Sequence, residues 1–305
     1  MRLVQRLLIY ILLVLGAITC LAPLLWMIST GLKPIEQTMS SPPTWLPYRL
    51  YVEKDGTLTE IQQADVDKYP ADTIVKKVAP RWENFANAIH AMKMFWTYLK
   101  NTLILCVLTV IGTVASSSLA AYGFSRVDWR GRDKVFMVCL ATMMVPFPVV
   151  MVPIYCMFRW LGWIGTLKPL WVGSFFAGAF NVFLLRQFFL TIPKDLAEAA
   201  RIDGCSEFRI FWQIVLPLCR PALMVVALFQ FMYTWNDFLG PLIYLTKQDD
   251  YTLALGLQLF QSQHGGTEWH FLMAASTLVA LPIIILFFFT QKTFIEGISM
   301  TGIKG

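Results

Sequence analysis

An all-α membrane protein with six transmembrane helices is the fold class that this sequence predicts. Three observations predict it. Of 305 residues, 57% are hydrophobic and only 14% are charged, where a soluble globular chain carries about 25% charged residues. Apolar blocks recur along the chain at about the 20-residue length that crosses a bilayer as a helix. Between two of these blocks stands one polar stretch, Leu196 to Pro217, which reads LAEAARIDGCSEFRIFWQIVLP.

The composition also excludes other classes. The net charge of +6 includes no run of five basic residues, so nucleic acid is not an expected partner and membrane lipid is. The six cysteines are Cys20, Cys106, Cys139, Cys156, Cys205 and Cys219. They form no CxxC and no Cys/His ligand spacing, which leaves neither a disulfide framework nor a zinc site. Cysteine as a small hydrophobe fits these positions better.

Met1-Arg2 to Arg6 is a short basic lead into the apolar block Leu7 to Leu32. A cleaved signal peptide competes here, but its apolar core runs about 7–15 residues, and this block is longer. Residues 1–33 therefore read as an N-terminus and uncleaved first transmembrane helix, ended by Lys33-Pro34. Residues 34–98 are polar and form an extracytoplasmic insert. Pro42, Pro43 and Pro47 make its start extended, and Leu50 to Ile61 alternates around Asp55-Gly56, a hairpin signal. Trp82 to Phe95 is amphipathic and reads as an interfacial helix leading into the membrane.

Residues 99–290 are a core of five helices. Leu99 to Phe124 is the second span, and Ser116-Ser117-Ser118 with Ala120-Ala121 lets neighbouring helices approach closely. Val135 to Met157 is the third. Pro146, Pro148 and Pro153 predict a kinked, internal helix, because neighbours must re-satisfy the freed carbonyls. Trp160 and Trp163 are interface anchors in the loop that follows. Pro169 to Leu190 is the fourth span, Ala222 to Leu245 the fifth and Phe271 to Thr290 the sixth. Residues 291–305 are a tail.

Orientation follows from Lys and Arg. The N-terminus, the 125–134 loop, the 191–220 loop, the tail and Arg186 together hold thirteen basic and seven acidic residues. The short loops of the opposite face, 158–168 and 246–270, hold three basic residues. The positive-inside rule puts the first face, with both termini, in the cytoplasm of a multi-pass cell-membrane protein.

Enzyme signatures are missing from the sequence. There is no GxxxxGK[ST] phosphate loop, no HExxH and no GxSxG. The histidines His90, His264 and His270 fall outside the spans or at their edges. The polar stretch carries the chemistry instead. Thr191 and Pro193 supply a helix start, with Asp195 in the first turn, where it complements the helix dipole. Gly204 sits where a left-handed glycine closes a helix. Ser206-Glu207 starts a second run whose Phe208, Phe211, Trp212 and Val215 give it an apolar side that lies along the bilayer surface. Pro217 and Pro221 end it and redirect the chain. Leu196, Ala199, Ala200 and Ile202 form a small apolar surface, and the small alanines permit close docking into a partner's cleft. Glu198 and Asp203 offer charge to a basic rim. A mechanical coupling element needs these properties. A loop that merely links two spans is the plainer reading, and a DNA-binding helix–turn–helix does not fit between membrane spans.

Glu198-Ala199-Ala200, Gly204, Ile214 and Leu216-Pro217 match the spacing EAA---G---------I-LP. This resembles the permease subunits of binding-protein-dependent ABC importers. The form EAARIDG, preceded by LLRQFFLTIP, resembles the carbohydrate-uptake branch, the second permease of maltose- or glycerol-3-phosphate-type systems. Asn101-Thr102-Leu103, the run Ala120 to Arg126, Trp235-Asn236-Asp237-Phe238 and the end Gly302-Ile303-Lys304-Gly305 are similar too. The likeness covers nearly all of 80–305 and the first helix; the departure is the insert around Tyr51 to Pro80.

The resemblance implies a type I ABC importer permease fold with a cytoplasmic coupling helix. It implies a heterodimer with a second permease subunit, two ATP-binding subunits beneath, and an extracytoplasmic solute-binding protein. It implies no cofactor in this chain, with ATP bound by the partner subunits. The ATPase-coupling residues would be Glu198, Ala199, Ala200, Asp203, Gly204, Ile214, Leu216 and Pro217. Asn236 and Asp237, inside an apolar span, are candidates for the substrate pathway, with a structural role beside Gly240-Pro241 as the competing reading. Asn181 and Gln230 invite the same pair of readings, and Arg186-Gln187 reads as an interfacial snorkelling pair. An ion-coupled secondary transporter using Asp237, or an interaction protein without a pathway, are the alternatives to an ATP-driven importer of a sugar or polyol derivative.

Overall fold

A computed structural model describes residues 2–54, 57–262 and 267–299. The fold is predominantly helical. Among the described residues, four helices are long and apolar enough to cross a membrane: Leu3–Gly31, Phe95–Ser125, Lys168–Thr191 and Trp269–Gln291. Two bent pairs bring the number to six. They are Arg132–Met144 with Phe147–Trp160, at 98°, and Glu207–Leu218 with Arg220–Asn236, at 80°. The chain divides into two compact units, 1–95 with 256–284, and 96–255 with 285–305.

In the first unit, α1 (Arg2–Gly31) leads into a three-stranded antiparallel sheet. Its strands β1 (Tyr48–Lys54), β2 (Thr57–Ile61) and β3 (Ile74–Val78) lie in the order β2-β1-β3. Leu50 pairs with Ile61 in the expected hairpin, whose turn Asp55-Gly56 lies outside the described residues. β3 was not expected; it pairs on the other side of β1, Tyr48 opposite Val78. Alternation puts Leu50 and Val52 together on the buried face. The sheet and α2 (Glu83–Ala91) are tied to the end of α1. Asn84 Nδ2 donates to the Gly31 and Lys33 carbonyls at 2.9 and 2.8 Å, and the Arg81 amide donates to Leu32 at 2.9 Å. These bonds satisfy carbonyls that a helix C-terminus leaves open. Lys33 is buried, donates to the Thr44 carbonyl and stacks over the Trp26 ring at 4.1 Å.

All of α3 (Phe95–Ser125) but its first residue belongs to the second unit. The third span departs from expectation. It is two helices, α4 (Arg132–Ala141) and α5 (Phe147–Trp160), broken at Val145-Pro146, and most of its residues are exposed in the chain rather than internal. A residue before proline is pushed out of the helical region, and Val145 is extended at φ −81°, ψ 113°. The break therefore replaces the kink that three prolines suggested.

The fourth span is also interrupted. A tight turn, Val172–Phe176, precedes α6 (Ala179–Thr191), with Ala177 at φ +52° between them. Ser116 of α3 stitches this break. Its hydroxyl donates toward the Gly112 and Ser174 carbonyls, at 2.7 and 3.1 Å, and accepts the Ala177 amide at 3.1 Å. Gly112 makes room for the approach, since a Cβ there would sit 2.6 Å from the Phe175 ring. The small residues of α3 thus do what their composition predicts.

The helices α7 (Lys194–Ile202) and α8 (Glu207–Leu218) form the polar loop. α9 (Arg220–Asn236) then carries the fifth span, about 25 Å at 1.5 Å per residue, and α10 (Leu239–Tyr244) extends it. α11 (Leu253–Ser262) follows, and α12 (Trp269–Ser299) is the sixth span, continuing nine residues beyond the expected end at Thr290. The terminal run Thr301 to Gly305 lies outside the described residues.

Candidate coupling site

The site is the 191–220 loop, and local chemistry builds it. Thr191 does not start α7: its hydroxyl bonds back to the Phe188 carbonyl at 2.7 Å and finishes α6. Pro193 stands at the N-cap, and Asp195 lies in the first turn. Gly204 closes the helix at φ +79°. The Cys205 amide bonds to the Ala200 carbonyl at 2.9 Å and the Gly204 amide to Arg201 at 3.0 Å, the paired bonds of a Schellman turn. Ser206 caps α8 by accepting the Arg209 amide at 3.3 Å.

α8 ends between Pro217 and Pro221, as expected, although not at Pro217 itself. A π-helical turn, Phe211–Val215, loosens the backbone ahead of the proline, and the helix runs on to Leu218. The 80° bend falls at Cys219. A π turn shifts the carbonyl that a proline ring would otherwise strike.

The expected coupling residues divide between two faces. Glu198, Ala199, Ile202 and Asp203 are exposed, with Ile202 at 87%. Gly204 is exposed too, with open space around it. Ala200 does not offer itself to a partner: it is 7% exposed and, with Ala197, belongs to the same buried core as Ile210, Phe211 and Val215. Helical spacing separates these faces, 195, 198, 199 and 202 on one, 197 and 200 on the other. Ile214 and Leu216 are half-buried against the same core, and Pro217 is exposed. The apolar side of α8 splits likewise. Phe211 and Val215 are buried, while Phe208 and Trp212 are exposed and stacked at 6.5 Å.

Sequence reading missed the charges that hold the loop. Arg201 Nε donates to Glu207 Oε1 at 2.6 Å, and the Tyr122 hydroxyl donates to Glu207 Oε2 at 2.5 Å. These two bonds, the Arg201 one foremost, hold the Glu207 carboxyl below its ordinary range against a smaller opposing effect of burial. A depressed folded-state pKa stabilises the fold above the unfolded value and is lost only as pH falls through the folded one. The pair therefore stays charged throughout the neutral range. Arg186 is not a snorkelling side chain. It lies 4.3 Å over the Phe136 ring, donates to the Phe124 carbonyl at 3.1 Å and approaches Asp133 at 3.6 Å.

The intramembrane candidates lie elsewhere in the second unit. Asp237, one residue ahead of the N-cap Phe238, accepts the Gly240 amide in the first turn of α10 at 3.0 Å. Asn236 is exposed, and its Nδ2 donates to the Met232 carbonyl at 2.8 Å. Gln230 donates to the Thr234 hydroxyl at 3.1 Å, which meets Thr109 of α3 at 2.9 Å, a helix-packing role. Asn101 fastens the segment before α11, donating to the Asp249 and Tyr251 carbonyls at 2.8 and 3.0 Å.

The family model described as binding-protein-dependent transport system inner membrane component matches residues 110–299. The trehalose/maltose transport system permease protein MalG of Thermococcus litoralis is 31% identical over 303 residues, which is 99% of this chain and 98% of that protein. Its alignment thus runs through the insert. The arabinooligosaccharides transport system permease protein AraQ of Bacillus subtilis is 35% identical over 228 residues, covering 73% of this chain and 79% of its own. Among solved structures, a chain of a bacterial ABC transporter that imports the acidic polysaccharide alginate has the same fold, with a TM-score of 0.75 at 21% identity over 95% of this chain and 96% of that one.

Proposed function

Because this chain belongs to the binding-protein-dependent transport system inner membrane components, we propose that it forms the path by which a sugar or related polyol derivative enters the cell. It is a multi-pass inner-membrane permease of an ABC importer and works with a binding protein and separate ATPase subunits. The finer assignments are ours. The chain pairs with a different second permease, two ATPases sit beneath the pair, and both termini face the cytoplasm. The sugar class is supported by relatives named for trehalose, maltose and arabinooligosaccharides.

One observation carries the coupling role. α7 is anchored by Ala197 and Ala200 on its inner face and leaves Glu198, Ala199, Ile202 and Asp203 uncovered on the other. An uncovered edge on a fixed base suits a helix seated in a partner's cleft. Closure of the ATPase pair would then move this edge and the helices attached to it as a rigid body. Asn236 is our candidate for the solute pathway. Asp237 is engaged by the Gly240 amide, which weakens the reading of it as an ion site for secondary transport.

Uptake into vesicles separates the two energy sources. With radiolabelled trehalose, maltotriose and arabinotriose as probes and the binding protein supplied, import of at least one is expected to stop on ATP depletion and to survive collapse of ion gradients. Import that persists without ATP and vanishes with the gradient would reject the ATP-driven reading.

A further inference from the structure

One helix holds both ends of α7. Arg126 follows directly on α3, and its amide still bonds to the Tyr122 carbonyl at 2.9 Å. Tyr122 and Arg126 are therefore one helical turn apart on one face of α3. The Arg126 guanidinium donates to the Phe189 carbonyl and, at 2.5 Å, to the Ile192 carbonyl. Both acceptors lie at the end of α6, just ahead of α7, and the Phe189 carbonyl also accepts the Ile192 amide at 3.3 Å. At the other end, the buried Tyr122 hydroxyl reaches Glu207 at 2.5 Å, and Glu207 holds Arg201 of α7 at 2.6 Å. The Tyr122 ring also packs against Phe211, with centroids 5.2 Å apart.

A single attachment would act as a pivot, whereas two attachments flanking a helix fix its direction as well as its position. We infer that Tyr122 and Arg126 are positioning residues that bind α7 and α3 into one lever, so that work received by α7 is delivered to α3. This inference rests on the coupling role proposed for α7. It separates docking from transmission: the outer edge of α7 meets the partner, and the Tyr122–Glu207–Arg201 chain with Arg126 passes the movement on. The charged bonds suit this task, since they are stronger than neutral ones and Tyr122 is shielded from water.

The test uses the complete transporter with its ATPase and binding protein in proteoliposomes. Sugar imported per ATP hydrolysed is measured with whichever of trehalose, maltotriose and arabinotriose the unsubstituted complex imports. Tyr122→Phe keeps the ring and removes only the hydroxyl, and Glu207→Gln keeps the shape and removes the charge. Each is expected to lower the import-to-hydrolysis ratio about tenfold, the scale of one lost charged hydrogen bond, while the ATPase stays bound. The double variant is expected to be no worse than the worse single one, because both break the same link. Arg126→Lys keeps the charge but loses the planar guanidinium, whose Nη2 serves both carbonyls, and is expected to fall between the unsubstituted complex and those single variants. An unchanged ratio in both single variants would overturn the lever. Absence of ATP-driven import by the unsubstituted complex would overturn the underlying coupling role instead.

Discussion

Gly204→Val is expected to leave the subunit in the membrane but to uncouple ATP hydrolysis from import. Gly204 is at φ +79°, where an L-residue costs roughly 1–2 kcal/mol and a β-branched one more. Nothing lies within 4 Å of the place a Cβ would occupy, so the penalty is conformational and not a collision. Relief would turn the backbone out of the left-handed region and break the Cys205–Ala200 and Gly204–Arg201 bonds, at 2.9 and 3.0 Å. Those bonds set the angle between α7 and α8. A graded series follows from the cause: Asn tolerates the left-handed conformation and is expected to couple best, Ala less, Val least. Import per ATP hydrolysed checks it. Equal coupling by all three variants would show that this turn does not aim α7.

Glu198→Ala should separate stability from function. The side chain is exposed and makes no hydrogen bond or ion pair among the described residues. A surface substitution of that kind changes folding by about 0.5 kcal/mol or less. Truncating a charge inside an interface costs about 2–5 kcal/mol, which corresponds to a loss of partner affinity of more than tenfold. The purified permease is therefore expected to keep its Tm while its ATPase dissociates during purification. A variant that retains the ATPase at wild-type levels would remove Glu198 from the docking edge.

What the sequence made legible was local. The Gly204 turn, the Ser206 start of α8 and the hairpin Leu50 to Ile61 each depend on residues within a few positions of one another. So do the apolar blocks that set the spans. What escaped depends on distant partners. Tyr122 and Glu207 are 85 positions apart, and neither carries a local mark of the other. β3 was hidden because Lys76-Lys77 reads as polar loop; pairing with β1, not alternation, makes it a strand. Arg186 looked like a snorkelling side chain, and its partners, the Phe136 ring, the Phe124 carbonyl and Asp133, all lie more than 45 positions away.

Two misreadings had signals in plain view. Val145 precedes Pro146, and the restriction on a pre-proline residue favours a break over a kink. Ala197 and Ala200 are three residues apart, which puts them on one face of α7, away from Glu198 and Ile202. The structure moves Ala200 from the partner's side to the permease's own core, so its small size serves packing beneath α7.

This division of faces gives the most direct test of the account, which holds that α7 receives work from an ATPase along its outer edge. In a transporter in which this chain's six native cysteines are replaced, Ala199→Cys and Ala197→Cys are introduced separately and treated with a short bifunctional thiol–amine crosslinker. A crosslink is expected from position 199 to the ATPase subunit, altered in yield when a non-hydrolysable ATP analogue is bound, and none from position 197. No ATPase adduct from position 199 in a complex that hydrolyses ATP, or equal adducts from both positions, would contradict it.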